Sequence, residues 1–126
     1  MSDRATILLI DDDADFVEAT RAVLESVPYT VLVAHSGDEG LAKARATQPN
    51  LVILDIFLPV KDGFQILEEL KSDPALASVP VMLLTALSNG IISPVNTELM
   101  AAIADYIDKP IRPTELLQRV EKLLGK

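Results

Sequence analysis

The feature that most constrains the fold of this chain is the regular alternation of short, mainly apolar runs with amphipathic stretches. Runs that are apolar on successive residues are typical of strands buried on both faces. Their alternation with helical stretches predicts an α/β domain, with helices on both faces of one parallel sheet. The five predicted strands cover Thr6–Ile10, Thr30–Ala34, Leu51–Leu54, Val81–Thr85 and Asp105–Ile107.

Four of the intervening stretches carry helix signals. Asp13 is placed to cap the first helix, Ser36 and Glu39 form a capping-box pattern at the start of the second, and Pro113 suits the first turn of the last. The third helix is expected to begin near Gly63. The apolar faces expected to be buried are Phe16, Val17, Thr20, Val23, Leu24 and Val27 in the first helix, Ile66, Leu67 and Leu70 in the third, and Leu116, Leu117, Val120 and Leu124 in the last.

The stretch from Leu87 to Val95 departs from this pattern. Gly90 and Pro94 lie within it and interrupt both helix and strand periodicity. We therefore expect an irregular loop here, and a further helix between about Pro94 and Ile103, which completes a (βα)5 order.

Composition narrows the class of protein. The 126 residues suit one domain, spanning residues 1–126, and 49% of them are apolar. The formal net charge of −8 offers no basic face for nucleic acid, and fits a divalent cation or a basic protein surface better. There is no cysteine for a disulfide or a thiolate metal site. No apolar stretch approaches the roughly 20 residues of a membrane span, so we expect a soluble cytoplasmic protein without membrane contact.

Polar side chains stand where the predicted strands end. Asp11 and Asp12 follow the first strand, Asp55 follows the third, Thr85 closes the fourth, and Lys109 comes just after the fifth. The carboxyl ends of parallel strands meet at one edge of an open sheet, where such folds place their ligand sites. The sequence therefore predicts a site that combines three carboxylates, a hydroxyl and an amine.

With these residues in place, the chain resembles the receiver domain of bacterial two-component response regulators over nearly its whole length. The resemblance implies a flavodoxin-like, doubly wound sheet of five parallel strands in the order 2-1-3-4-5. Five motifs in the right order and spacing carry it, namely Leu8–Asp12, Leu51–Asp55, Leu58-Pro59 with Asp62-Gly63, Leu84–Ala86, and Asp105–Pro110.

The resemblance implies a Mg2+ site. Asp55 matches the aspartate that is phosphorylated in the family, and Asp11 and Asp12 match the acidic pair that holds the cation. Phe57 matches the position whose backbone carbonyl also binds the metal. Carboxylate and carbonyl oxygens suit Mg2+, which prefers hard oxygen ligands and retains several waters.

The resemblance also implies the phosphoryl contacts and the switch. Thr85 matches the hydroxyl that bonds the phosphoryl group, Lys109 matches the lysine that pairs with one of its oxygens, and Tyr106 matches an aromatic switch residue. Phosphoryl transfer depends mainly on positioning and on neutralisation of charge. A carboxylate, a cation site and a fixed ammonium group meet those demands.

The function that follows is a signalling switch. We expect Asp55 to accept a phosphoryl group from a sensor histidine kinase or a histidine phosphotransfer protein. The face formed by the predicted fourth helix, the fifth strand and the last helix would then change its affinity for a downstream protein not named by the sequence. The resemblance also allows a homodimer on phosphorylation. It implies self-catalysed transfer and slow loss of the group, not a turnover enzyme.

The resemblance implies that two side chains tune the lifetime of the phosphoryl group. The positions two residues after Asp55 and two after Thr85 are Phe57 and Leu87. Neither side chain can hydrogen-bond an attacking water, and both can exclude one. We therefore expect a long-lived acyl phosphate.

Other interpretations stay open at this point. The chain could be a receiver-like interaction module that acts without phosphorylation, although the intact set of acids, Thr85 and Lys109 argues against that. A metal-dependent phosphohydrolase would need a second acid near Asp55, and residues 56–58 supply none. A flavin-binding protein would need a phosphate loop after the first strand, where no Gly-rich or Ser/Thr-rich loop occurs. His35, the single histidine, is best explained as a surface residue at a strand end.

Overall fold

The computed structural model describes residues 5–27, 29–56, 63–85, 103–108 and 111–124. Its strands are β1 (Thr6–Ile10), β2 (Thr30–Ala34), β3 (Leu51–Asp55), β4 (Val81–Thr85) and β5 (Asp105–Asp108). Its helices are α1 (Ala14–Glu25), α2 (Gly37–Thr47), α3 (Gly63–Ser72) and α4 (Pro113–Leu123). The predicted loop after Leu87 and the helix predicted from Pro94 fall outside the described residues, so α4 here is the helix that opens at Pro113.

The five strands form one parallel sheet in the order β2-β1-β3-β4-β5. This confirms the predicted fold class and strand order. The strand bounds agree with those predicted, except that β3 and β5 each extend one residue further, to Asp55 and Asp108. None of the four described helices is long and apolar enough to cross a membrane.

Helices cover the two faces of the sheet and enclose two apolar clusters. Alternate residues of β1 divide between them, since Leu8 and Ile10 face α2 and α3 while Ile7 and Leu9 face α1 and α4. The helices pair accordingly, α1 against α4 and α2 against α3. This double coverage explains why the strands are apolar on successive residues.

The predicted helix faces supply the other side of each cluster. The residues that become fully buried are Val17, Thr20 and Leu24 in α1, Ile66, Leu67 and Leu70 in α3, and Leu116 and Val120 in α4. The remaining predicted positions are partly buried. All of these except Val23 pack at the rim of the same cluster: Phe16, Val27, Leu117 and Leu124. Each helix therefore lies on the sheet by the face that its apolar spacing predicts.

The outer edge of β2 is occupied by side chains from α2. Thr30 and Ala34 bond to the backbone on the β1 side, so Val33 points its carbonyl away from the sheet. The Lys43 ammonium donates to that carbonyl, and the backbone N–H of the adjoining His35 donates to Glu39 Oε1 at 2.8 Å. Lys43 and Glu39 also form an ion pair at 3.1 Å. One ion pair thus satisfies two backbone groups of an edge strand.

Glu39 makes this edge sensitive to acid. The His35 N–H and Lys43 together hold the pKa of the Glu39 carboxyl below its ordinary value of 4.5. A lowered folded-state pKa contributes stability that is present above the unfolded value and is lost as the pH falls through the folded one. We expect Glu39→Gln to lower the free energy of unfolding at pH 7 by less than about 1 kcal/mol, because the pair is partly exposed. Denaturant titrations between pH 7 and 3 should show this difference shrink towards zero.

Glu25→Gln provides a matched control for that prediction. Glu25 forms an ion pair of the same i,i+4 spacing with Arg21, at 3.0 Å and with similar exposure. Its loss should change stability less than the loss of Glu39, because the Arg21 pair adds no bond to an edge strand. Equal effects of the two substitutions at every pH would contradict the role given to Glu39.

Candidate functional site

Asp11 is buried at the carboxyl end of β1. Its backbone N–H donates to Ala34 O at 3.0 Å, so it continues the ladder with β2 by one residue beyond the strand. Its Oδ1 accepts a hydrogen bond of 2.9 Å from the backbone N–H of Asp13. The residue is fully buried, at 0% exposure. Main-chain contacts therefore fix both the backbone and the carboxylate of Asp11.

Asp13 caps helix α1, as its sequence position predicts. Its Oδ1 accepts hydrogen bonds from the backbone N–H groups of Asp15 and Phe16, at 3.1 and 3.2 Å. A side-chain oxygen at this position satisfies backbone donors that the first helical turn leaves unpaired. The third acid of the run thus starts the helix.

Asp55 is the last residue of β3 and is 5% exposed. It lies opposite Leu84 of β4, and the next residue donates its backbone N–H to Leu84 O at 3.0 Å. The carbonyl of that residue, Ile56, accepts from the backbone N–H of Gly63 at 2.8 Å. The backbone that carries Asp55 is therefore held between β4 and the first residue of α3.

Asp11, Asp12 and Asp55 come together at this edge of the sheet. One carboxylate oxygen of each lies within 4.8 Å of those of the other two, and only Asp12 is exposed. An octahedral Mg2+ shell places neighbouring oxygens about 3 Å apart and opposite ones about 4 Å apart. Three oxygens at the observed spacing can enter such a shell with little movement, so the donor set fits Mg2+.

Electrostatic repulsion between the carboxylates favours the binding of a cation. Two ionised carboxylates at the upper limit of this spacing, 4.8 Å, would repel by about 3.5 kcal/mol at an effective dielectric constant of about 20, before the charge of any neighbouring group is counted. A cost of that size is a large fraction of the roughly 5–15 kcal/mol by which a domain is stable. Bound divalent charge would remove it.

The structure describes two of the other four predicted site residues, Thr85 and Tyr106. Thr85 ends β4, and its backbone lies opposite Asp108 at the end of β5. Lys109 follows Asp108 directly, but it and Phe57 lie outside the described residues. Tyr106 belongs to β5 and is 47% exposed. Among the described residues, the acids of β1 and β3 come together. The part of Thr85 and Lys109 in the site stays a prediction.

Two contacts between elements could not be found from the sequence. Gly63 was predicted as a helix start and as part of a motif, and its backbone lies directly against Asp55 and Ile56. Arg119 of α4 contacts the first residue of β5, since its Nη1 lies 3.3 Å from Asp105 Oδ1. Both contacts join segments distant in the chain, and no local spacing signals them. The pairing of Arg119 with Glu115 four residues earlier is the part that helical spacing does indicate.

Comparison with known families gives one match over most of the chain. Residues 7–121 match the family described as the response regulator receiver domain. The chain is 39% identical over 120 residues to the DNA-binding dual master transcriptional regulator RpaA of Synechocystis, covering 95% of this chain and 49% of that protein. It spans about half the length of the curated relatives it matches.

Solved structures resemble the fold closely. One is the receiver domain of the sensor histidine kinase PA1611 from Pseudomonas aeruginosa, which has a magnesium ion coordinated in its active site cleft. It has a TM-score of 0.85 and 27% identity, covering 98% of this chain and 99% of that one. Another is the chemotaxis response regulator CheY4 of Vibrio cholerae, with a TM-score of 0.84 and 25% identity, covering 95% and 98%.

The carboxylate cluster predicts that Mg2+ stabilises the fold. A ligand present at 100 times its dissociation constant stabilises a protein by about 2.7 kcal/mol, which raises Tm by roughly 10 °C in a domain of this size. We expect thermal unfolding with and without MgCl2 to show such a rise. Asp12→Asn should reduce it, because one ligand and one negative charge are lost.

Asp15→Asn is the control for this measurement. It removes the same charge from an exposed acid in the first turn of α1, outside the cluster. It should leave the Mg2+-dependent rise in Tm unchanged. An equal rise in Asp12→Asn and in the unmodified chain would exclude the cluster as the cation site.

Proposed function

Because the chain belongs to the response regulator receiver domain family, we propose that it is a phosphorylation-dependent switch whose acceptor is Asp55. The observation that carries the proposal is the group of three carboxylates within 4.8 Å at the carboxyl ends of β1 and β3. Receiver domains are signalling modules of two-component systems that take phosphoryl groups from histidine kinases. Such a module is not a conventional enzyme, and the phosphoryl transfer that we assign to it is a reaction on its own side chain.

The chemistry assigned to Asp55 is nucleophilic attack. A carboxylate oxygen of Asp55 forms a bond to phosphorus as the bond between phosphorus and the donor imidazole nitrogen breaks. The imidazole leaves with its electron pair and takes up a proton. The fixed backbone around Asp55 supports this role, because a nucleophile held in one position avoids much of the entropic cost of alignment.

The cation assigned to the cluster is Mg2+, held by Asp11, Asp12, Asp55 and the backbone carbonyl of Phe57. When bound, it neutralises the negative charge that gathers when a carboxylate approaches a phosphoryl group. Asp11 is oriented for this role by the N–H of Asp13. The exposure of Asp12 leaves the cluster open to solvent on one side, which gives the donor a direction of approach.

Thr85 and Lys109 are assigned to the phosphoryl oxygens. The pairing of Asp55 with Leu84 makes Thr85 the next residue along β4, and the pairing of Thr85 with Asp108 makes Lys109 the next after β5. Thr85 therefore lies one residue, and Lys109 two residues, beyond the positions of β4 and β5 that are in register with the acceptor. A hydroxyl donor and an ammonium group would each stabilise the charge that develops there.

The first prediction of this proposal concerns covalent labelling. Acetyl phosphate with Mg2+ should add one phosphoryl group to the chain, and Asp55→Asn should abolish the addition because an amide is not a nucleophile for this reaction. Intact-mass and peptide mass spectrometry would locate the group. The same samples, followed over time, would measure how long it survives beside Phe57 and Leu87.

Asp15→Asn again provides the control, since it alters the charge of the chain without altering the cluster. It should be labelled at the rate of the unmodified chain. A chain that remains unlabelled, or an Asp55→Asn variant that is labelled equally, would instead favour an interaction module that works without phosphorylation.

The switch is assigned to Thr85 and Tyr106. Tyr106 is half-exposed on β5, and its backbone carbonyl and the carboxylate of Asp105 are the groups that Arg119 of α4 contacts. Phosphoryl oxygens would draw the Thr85 hydroxyl inward and leave space for the Tyr106 ring. Because Arg119 joins the backbone of this strand to α4, a shift of β5 that accompanies the ring movement would reach the proposed partner-binding face.

The second prediction tests this coupling. Beryllofluoride with Mg2+, a stable substitute for the phosphoryl group, should reduce the solvent exposure of the Tyr106 ring and shift the NMR signals of the predicted fourth helix. Thr85→Ala should weaken both changes while beryllofluoride still binds. An unchanged ring in the unmodified chain would remove the switch and leave the acceptor role intact.

The remaining parts of the proposal concern organisation and partners. We assign residues 1–126 to a single receiver domain that acts in the cytoplasm. Its donor is a sensor histidine kinase or a histidine phosphotransfer protein, and its output is the binding of a downstream protein or of a second phosphorylated copy. The net charge of −8 supports the absence of direct nucleic-acid binding by this domain.

A further inference from the structure

Gly63 stands in closer contact with the acceptor backbone than any other residue type could. A Cβ atom built on Gly63 would lie 2.6 Å from Asp55 O, 2.6 Å from Ile56 Cα and 3.1 Å from Ile56 N. Ordinary van der Waals contact begins at 3.4 Å. The obstructing atoms are all backbone, so no side chain can rotate to make room.

The backbone on the other side of this contact cannot easily move away. Ile56 donates its N–H to Leu84 O at 3.0 Å, and its carbonyl accepts from Gly63 N at 2.8 Å. On the helix side, Ile66 and Leu67 of α3 are fully buried against the sheet. A Cβ at Gly63 would therefore displace either residues 55 and 56 or the start of α3 by most of an ångström.

We propose that Gly63 is a positioning residue for the phosphoryl-transfer site: by lacking a Cβ, it lets α3 set the end of β3 where the Asp55 carboxylate meets those of Asp11 and Asp12. The inference rests on the proposed function for its consequence in phosphoryl transfer. Its geometric part, the spacing of the three carboxylates, is independent of that function.

The test compares Gly63→Ala with Gly40→Ala. Gly40, in α2, is also tightly packed, and a Cβ there would lie 2.8 Å from Ile10 Cγ1 and still closer to Cδ1. The obstructing atoms there all belong to the Ile10 side chain, which can adjust more easily than the backbone atoms that obstruct Gly63. Helix propensity favours alanine over glycine by up to about 1 kcal/mol, so losses in either variant report the steric contact.

Two measurements on the full chain separate the roles of these glycines. Isothermal titration with MgCl2 measures the affinity of the carboxylate cluster, and the initial rate of acetyl phosphate labelling at saturating Mg2+ measures the position of the nucleophile. For Gly63→Ala we expect a weaker Mg2+ affinity and a labelling rate lower by about ten- to a hundredfold, since a displacement near 1 Å can cost that much. Gly40→Ala should lower Tm but leave both values within about twofold.

The outcomes are distinct. A folded Gly63→Ala variant with unchanged affinity and rate would overturn the proposal, as would equal losses in Gly40→Ala. If Gly63→Ala is unfolded at 25 °C, both variants are measured at 10 °C with the stabilising osmolyte trimethylamine N-oxide. Failure to fold there too would overturn it, because the contact would then sustain the whole core. An unmodified chain that binds Mg2+ but is not labelled would instead refute the proposed function, and the affinity comparison would still decide the role of Gly63.

Discussion

The structure depends on holding like charges together. Asp11 and Asp55 are buried acids whose carboxylates, with that of Asp12, lie within 4.8 Å of one another, an arrangement that repulsion opposes. What opposes the repulsion is the packing of a sheet covered on both faces, together with backbone hydrogen bonds to Ala34 and Leu84 that run to the strand ends. The stability of the apolar layers thus offsets part of the repulsion between these carboxylates.

The three consecutive acids after β1 have different structural roles. The carboxylate of Asp13 accepts hydrogen bonds from the first turn of α1, and the backbone N–H of Asp13 orients the carboxylate of Asp11. Asp12 stays exposed and closes the cluster on the solvent side. Three adjacent residues of one type therefore provide a helix cap, a buried carboxylate and an accessible carboxylate. Their different surroundings decide the role of each.

The sequence predicted those parts of the fold that local patterns encode. Apolar runs located all five strands, and helical spacing identified the buried residues of α1 and α3, because double coverage of a parallel sheet leaves a strong signature. The end of β3 was placed one residue early, since a polar Asp55 reads as a terminus although its backbone still pairs with β4. The contact of Gly63 with β3 escaped prediction, because it depends on how close two segments approach in space. The partner of Glu39 was also not predicted in full. A capping box pairs this side chain with the N–H of the capping residue, Ser36, whereas Glu39 accepts from the N–H of His35, one residue earlier.

The occupied edge of β2 has a consequence for how copies of this molecule can associate. A bare strand margin is a template on which another chain can be laid down, and repeated addition of that kind leads to fibrils. With the Val33 carbonyl and the His35 N–H engaged by Lys43 and Glu39, the carboxyl-terminal end of this edge offers fewer free backbone groups to an added strand. A second copy that approached this end of the strand would therefore have to displace an ion pair before its own backbone could bond there.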